Sequence, residues 1–181
     1  MDDEPDSPSV DDGIAIEQLW ASAAHDGIAK TGATFGQRFL VRQVQSLPSS
    51  PGRGTLADVS VRAPLGTFVC HPLRRRHGSP HRLVSIGRTG NNDIVIADAS
   101  VSKFHAYFRS VGDVAVSDGH STNGTTVNGE QVSVRGEGPP TPLAMGDVLQ
   151  VGSVPLVLLD LDGVLRLKRN LAVAPHVQEV A

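Results

Sequence analysis

From Thr67 onward the chain is written in short runs of β-forming residues: TFVCHPL, RLVSIGR, DIVI, FHAYFRSV, VAVSD, TTVNG, EQVSV, DVLQVG and VPLVLL. Gly, Asn, Asp and Pro stand at the breaks, and no helical period interrupts the series. Val, Ile, Phe and Tyr fit a pleated, half-buried surface, and turn residues recurring about every eight to twelve positions mark an antiparallel sandwich or barrel. The fold class expected is all-β, built from short antiparallel strands.

Upstream the pattern changes. Residues 1–11 are dominated by Asp, Pro and Ser with almost nothing to bury, and are expected to be a disordered acidic tail. Ile16, Leu19, Trp20, Ala23 and Ala24 fall at i, i+3, i+4, i+7 and i+8, one apolar face of a short helix, with Asp11 or Asp12 as its N-cap. A helix this short must bury that face, so it is expected to dock on the sandwich or on a second copy. FGQRFLVRQVQ, residues 35–45, reads equally as helix or strand, and SLPSSPGRG after it has a linker's composition. The expected division is a tail at 1–11, a helical extension at 12–45, a linker at 46–64, the sandwich at 65–162 and a C-terminal tail at 163–181.

With 181 residues, 39% of them hydrophobic, the chain can build one domain plus an extension. Its net charge of −3 lacks the basic excess of a nucleic-acid binder. The single cysteine, Cys70, forms no internal disulfide, the acidic N-terminus carries no hydrophobic leader, and VPLVLLDLDGVL falls far short of a bilayer span. A cytoplasmic location without membrane or nucleic-acid partners is expected. The oligomeric state stays open.

The breaks between strands carry the chemistry. In order they read IGRTGNNDIVI, ADASVSKFHAYF and DGHSTNGTTVNG, supplying Gly87-Arg88, Ser102-Lys103-Phe104-His105 and Ser121-Thr122-Asn123-Gly124. Asn-Gly occurs twice. The second pair, Asn128-Gly129 between Val127 and Val132, is a hairpin turn, because both positions of a type I′ turn take positive φ at little cost there. The first pair carries more polar atoms than a turn requires.

Gly-Arg, Ser-x-x-His and a later Asn-Gly turn, in this order, resemble the forkhead-associated (FHA) domain family, over about residues 65 to 162. The resemblance implies a β-sandwich that holds a phosphothreonine peptide in the loops at one end, without catalysis or cofactor. The implied partner is a phosphothreonine-containing protein, a Ser/Thr kinase or its substrate. Phosphothreonine carries about −1.5 to −2 charges and three strong acceptor oxygens, so donors must converge on it from several loops. By similarity Arg88 is the main anchor, with a planar fork that meets phosphate bidentately. Ser102 supplies a hydroxyl, Lys103 a point charge and Thr122 a further donor, while Asn123 can donate and accept at once and so grip a peptide main chain. Gly87 and Gly124 shape the backbone, and His105 ties the loops together as an architectural residue.

The same sequence admits other arrangements. A degenerate sandwich could dock a protein without phosphate. Ser102, His105 and Asp118 have the residue types of a catalytic triad, but no nucleophile elbow is present. Asp160 and Asp162 in LLDLDGVL resemble the first motif of haloacid-dehalogenase phosphotransferases, yet too few residues follow for that fold, and a last strand with a turn is expected instead. Cys70, His71, His77 and His81 match no zinc spacing, and no metal is expected. Arg74, Arg75 and Arg76 form a basic cluster that attracts acidic or phosphorylated partners or is simply solvated. Thr31 or Thr34, if phosphorylated, could occupy the chain's own site.

Overall fold

The computed structural model describes residues 13–43, 68–77 and 83–172. The acidic tail with Asp11 and Asp12, the linker, His81 and residues 173–181 lie outside the described residues. In chain order the elements are β1 (Ile14–Ala15), α1 (Ile16–Asp26), α2 (Ile28–Phe35), β2 (Arg38–Gln43), β3 (Phe68–Pro72), β4 (Val84–Gly87), β5 (Ile94–Val95), β6 (Ala106–Arg109), β7 (Ala115–Asp118), β8 (Thr125–Val127), β9 (Glu130–Gln131), β10 (Thr141–Pro142), β11 (Val148–Val151), β12 (Val154–Asp160) and α3 (Leu161–Ala172). They form two sheets, ordered β1-β3-β2-β12-β11-β8-β9 and β10-β7-β6-β4-β5. Among the strands named here every pairing is antiparallel except β4 with β5, where Ile86 lies opposite Ile94 in parallel.

Apolar burial holds the layers together. Leu40, Ile86, Phe108, Val116, Leu149, Leu156 and Leu158 are fully buried in the core shared by the two sheets. The other face of the larger sheet carries a second core, in which Phe39, Val41 and Cys70 meet Ile16, Leu19 and Trp20 of α1 and Leu161 and Val164 of α3. The Trp20 indole N–H donates to the Val164 carbonyl at 3.2 Å and locks the two helices together. Burial, with Glu17 near by, pushes the Cys70 thiol up to about 12, which leaves it protonated and inert. None of the described helices is long and apolar enough to cross a membrane.

The amphipathic helix forms and docks on the sandwich, with Ala23 half-buried and Ala24 exposed. Three details differ from the sequence reading. Helix α1 begins at Ile16 with Ala15 at its N-cap and no side-chain cap, because Ile14 and Ala15 pair with β3 as a strand. The stretch 12–45 is not helical throughout, for Arg38–Gln43 is a strand set between β3 and β12. Phe39, Leu40 and Val41 are buried on both faces of the sheet, and such a strand reads as an unbroken apolar run with no period to identify it. After β12 there is no turn into a tail. Helix α3 follows at once, and the Asp160 carboxylate accepts the Gly163 backbone N–H at 2.7 Å as its N-cap. Asp162 pairs with Arg166 one turn on. Both aspartates therefore serve the helix start.

Because β2 is central, a chain lacking residues 1–54 is expected to lose its cooperative thermal transition, followed by circular dichroism; a folded truncated chain would contradict the topology. Leu19→Ala is expected to cost about 2–5 kcal/mol through the cavity it leaves, measured by urea unfolding with Trp20 fluorescence as the reporter.

Candidate functional site

Three loops meet at one end of the sandwich: residues 88–93 between β4 and β5, 96–105 between β5 and β6, and 119–124 between β7 and β8. One buried histidine joins the second of them to the third and to the end of β4. The backbone N–H of Ser102 donates to His105 Nδ1 at 2.9 Å, so Nδ1 is the acceptor and Nε2 carries the proton, which goes to the Gly124 carbonyl at 3.0 Å. The His105 main chain adds two more ties, its N–H to the Ile86 carbonyl at 2.8 Å and its carbonyl to the Gly119 N–H at 2.7 Å. Its side chain is fully buried, and burial lowers the imidazole pKa, only partly opposed by the Gly124 bond and the Asp118 charge.

Asp118 organises the turn that follows. Its carboxylate accepts the Ser121 N–H at 2.8 Å, the Ser121 hydroxyl at 2.6 Å and the Thr125 hydroxyl at 2.6 Å. Burial alone would raise its pKa, but these bonds outweigh it and hold the group below the usual carboxylate range. The Ser121 hydroxyl in turn accepts the Gly124 N–H at 2.9 Å. Gly124 has φ of +77° and Asn128-Gly129 have +50° and +86°, so both Asn-Gly steps use left-handed backbone. The second is the hairpin joining β8 and β9.

The site residues named from sequence fall together. Arg88, Ser102, Lys103, Thr122 and Asn123 line one hollow of about 260 Å³, with Ser100 as a neighbour. Arg88 is fixed by its own N–H to the Ser102 carbonyl at 2.9 Å and by Nε to the Val101 carbonyl at 3.2 Å. The Ser102 hydroxyl accepts the Thr122 N–H at 3.0 Å, linking the second loop to the third. Asn123 donates from Nδ2 to the Ser100 carbonyl at 2.8 Å, which leaves its side-chain carbonyl and a second N–H to face outward partners. Lys103 is exposed, while its carbonyl is gripped by Asn92 Nδ2 at 2.6 Å and by the Thr89 hydroxyl at 3.0 Å. Gly87 is required by close approach: a Cβ there would stand 2.2 Å from that same carbonyl.

Several supporting residues escaped the sequence reading. Ser100 holds the Asp98 carboxylate at 2.6 Å and receives the Ser153 N–H at 2.9 Å, and Asn92 and Asp118 pin the loops from below. Asp118 with Ser121 and Thr125, three and seven positions on, was the available signal, because short polar side chains at such offsets bond neighbouring backbone.

Some of the rival arrangements do not match the observed geometry, while Thr34, the other threonine considered for self-occupancy, is exposed. His105 receives the Ser102 amide rather than its hydroxyl, and Asp118 is spent on Ser121 and Thr125, so no triad geometry exists. Among the described residues no cluster of three His, Cys, Asp or Glu could hold a metal. His71 is buried, and burial with the nearby Arg42 pushes it down to about 3. Thr31 is fully buried, its hydroxyl bonded to the Gly27 carbonyl at 3.0 Å and within 2.9 Å of the Ser22 hydroxyl, so it is not open to a kinase in the folded chain.

Residues 84–152 match the family model described as FHA domain. Over 93 residues it is 36% identical to the ABC transporter ATP-binding/permease protein Rv1747 of Mycobacterium tuberculosis, a match covering 51% of this chain and 10% of that protein. Over 76 residues it is 42% identical to the glycogen accumulation regulator GarA of Mycolicibacterium smegmatis, covering 41% of this chain and 44% of that one. The chain thus spans less than half the length of either relative. The FHA domain of the CT664 protein from Chlamydia trachomatis is a structural neighbour at 21% identity and a TM-score of 0.44, over 68% of this chain and 97% of that one.

His105→Ala is expected to cost about 2–4 kcal/mol, since it strands the Ser102 N–H and the Gly124 carbonyl and opens a cavity. Acid should act in the same direction. The folded pKa values of His71 and His105 lie below the ordinary 6.5, so the unfolded chain takes up protons first and stability falls as pH drops below that value, with Asp118 adding to the loss further down. Thermal melts between pH 7.5 and 4.5 test this, and a midpoint that rises on acidification would contradict it.

Proposed function

We propose that this chain is a non-catalytic reader of phosphothreonine peptides in Ser/Thr kinase signalling, acting in the cytoplasm on a phosphorylated kinase or kinase substrate. The observation that carries the reading is the convergence of Arg88, Ser102, Lys103, Thr122 and Asn123 on one hollow at the loop end of an FHA domain. Two cationic side chains and several N–H and O–H donors from separate loops are what a dianionic phosphate ester demands. In this assignment Arg88 and Lys103 neutralise the phosphate and Ser102 and Thr122 donate to its oxygens. Asn123 grips the peptide main chain beside it. Gly87, His105 and Gly124 hold the loops in place without touching the ligand.

The donors are positioned before any ligand arrives. Arg88 is held at Nε, and Ser102 and Thr122 are tied to each other across two loops, so little ordering is left to offset binding. Micromolar affinity, roughly −8 kcal/mol, is the scale such a site supports.

Calorimetry with an oriented phosphothreonine peptide library, and the unphosphorylated library as control, tests the reading directly. Equal affinity for the two would favour phosphate-independent docking. Arg88→Ala is expected to weaken phosphopeptide binding roughly a hundredfold, the scale of two charge-assisted hydrogen bonds. It should lower stability by no more than about 1 kcal/mol, the worth of its bond to Val101. Full binding by this variant would remove Arg88 from the role given to it.

A further inference from the structure

A second and larger hollow, about 650 Å³, borders the same loop at Asp93 and Ile94. Arg74, Arg75 and Arg76 line it, on the segment that leaves the end of β3. Among the described residues three arginines thus line the hollow beside one carboxylate, Asp93. That carboxylate is already engaged: Asp93 Oδ1 accepts the Arg76 backbone N–H at 2.8 Å, and Oδ2 accepts the Ser85 N–H at 2.8 Å and its hydroxyl at 3.1 Å. Arg76 Nη1 donates to the Gly90 carbonyl at 3.1 Å, and Arg74 Nη1 to the Thr34 carbonyl at 3.0 Å. The arginine segment is thus fastened to the 88–93 loop, and Arg74, bonded to a neutral acceptor, keeps its charge and its other donors for a ligand. A solvated arginine run would have neither this anchoring nor a wall completed by the buried His71 and by Pro72 and Ile94.

We infer that the arginine-lined hollow takes a second anionic side chain, carboxylate or phosphorylated, from the same peptide that places its phosphothreonine at Arg88. The inference rests on the phosphothreonine reading above. The two hollows share one short loop, since Arg88 lines one and Asp93 the other. An extended peptide advances about 3.3 Å per residue, so an anionic side chain roughly three to six residues from the phosphothreonine can reach across residues 88–93. Arginine suits either anion, because its planar fork meets carboxylate and phosphate alike in bidentate fashion.

Calorimetry on the intact chain tests this with three phosphothreonine peptides of one length. One has alanine flanks, one has aspartates three to six residues to either side, and one has a second phosphothreonine in those positions. The anion-bearing peptides are expected to bind at least tenfold more tightly than the alanine-flanked one, with an advantage that shrinks as salt is added. In Arg74→Ala/Arg75→Ala that advantage should vanish while affinity for the alanine-flanked peptide is unchanged; Arg75→Glu alone serves if the double variant does not fold. An advantage restricted to the second phosphate identifies phosphate as the source, and one shared by both peptides identifies any anion. If the wild-type chain binds all three equally, or the variant keeps the advantage, the second site falls and the first stands. If none of the three binds, both fall.

Discussion

The loop end of this molecule depends on one buried imidazole. His105 accepts at one ring nitrogen and donates at the other, and its main chain pairs in both directions, so a single residue ties its own loop to β4 and, twice, to the 119–124 loop. A neutral, singly protonated ring is the only form that can do this. A second proton on Nδ1 would turn an acceptor toward the Ser102 N–H into a donor, and burial guards against it by lowering the pKa. Lysine or glutamine at this position could not supply one donor and one acceptor at the same fixed angle. The positions of Arg88, Ser102 and Thr122 all follow from that tie.

Below the loops, the larger sheet is covered on both faces, by the smaller sheet on one side and by α1 and α3 on the other. Strand β2 is where the two cores meet, with Leu40 in one and Phe39 and Val41 in the other. A sheet packed on both faces is stiff, and loops carried by a stiff frame can hold side chains in a set geometry. This division of labour separates residues that bear on stability, such as Leu19, His105 and Asp118, from those that line the hollow and cost little to change, such as Lys103.

The sequence is most readable where chemistry is local. Asn128-Gly129 announces its own turn, Gly87 a close approach and Gly124 a left-handed step, and the strand runs from Thr67 are marked by their punctuation. What could not be read is what depends on distant partners. FLV in β2 has no period because both sides are buried, and the choice between helix and strand is made by β3 and β12, remote in sequence. Asp160 looks like half of a catalytic motif until Gly163 is seen to fold back on it. Ser100 gains its place in the site only through contacts with Asp98 and Ser153.

The pairing of β2 with β12 also sets the order in which the chain can assemble. Val41 lies opposite Val157, and Leu40 opposite Leu158, so a strand near the start of the sandwich waits for one near its end. Contacts of such long sequence separation are closed late and slowly, because the loop entropy between them is lost before any burial compensates. On a ribosome the apolar run FLV would emerge early and stay unpaired on one edge until residues 154–160 had left the tunnel. During that interval α1 is its nearest cover, through Ile16, Leu19 and Trp20 against Phe39 and Val41. A helix so near in sequence can cover that face before the distant partner strand arrives.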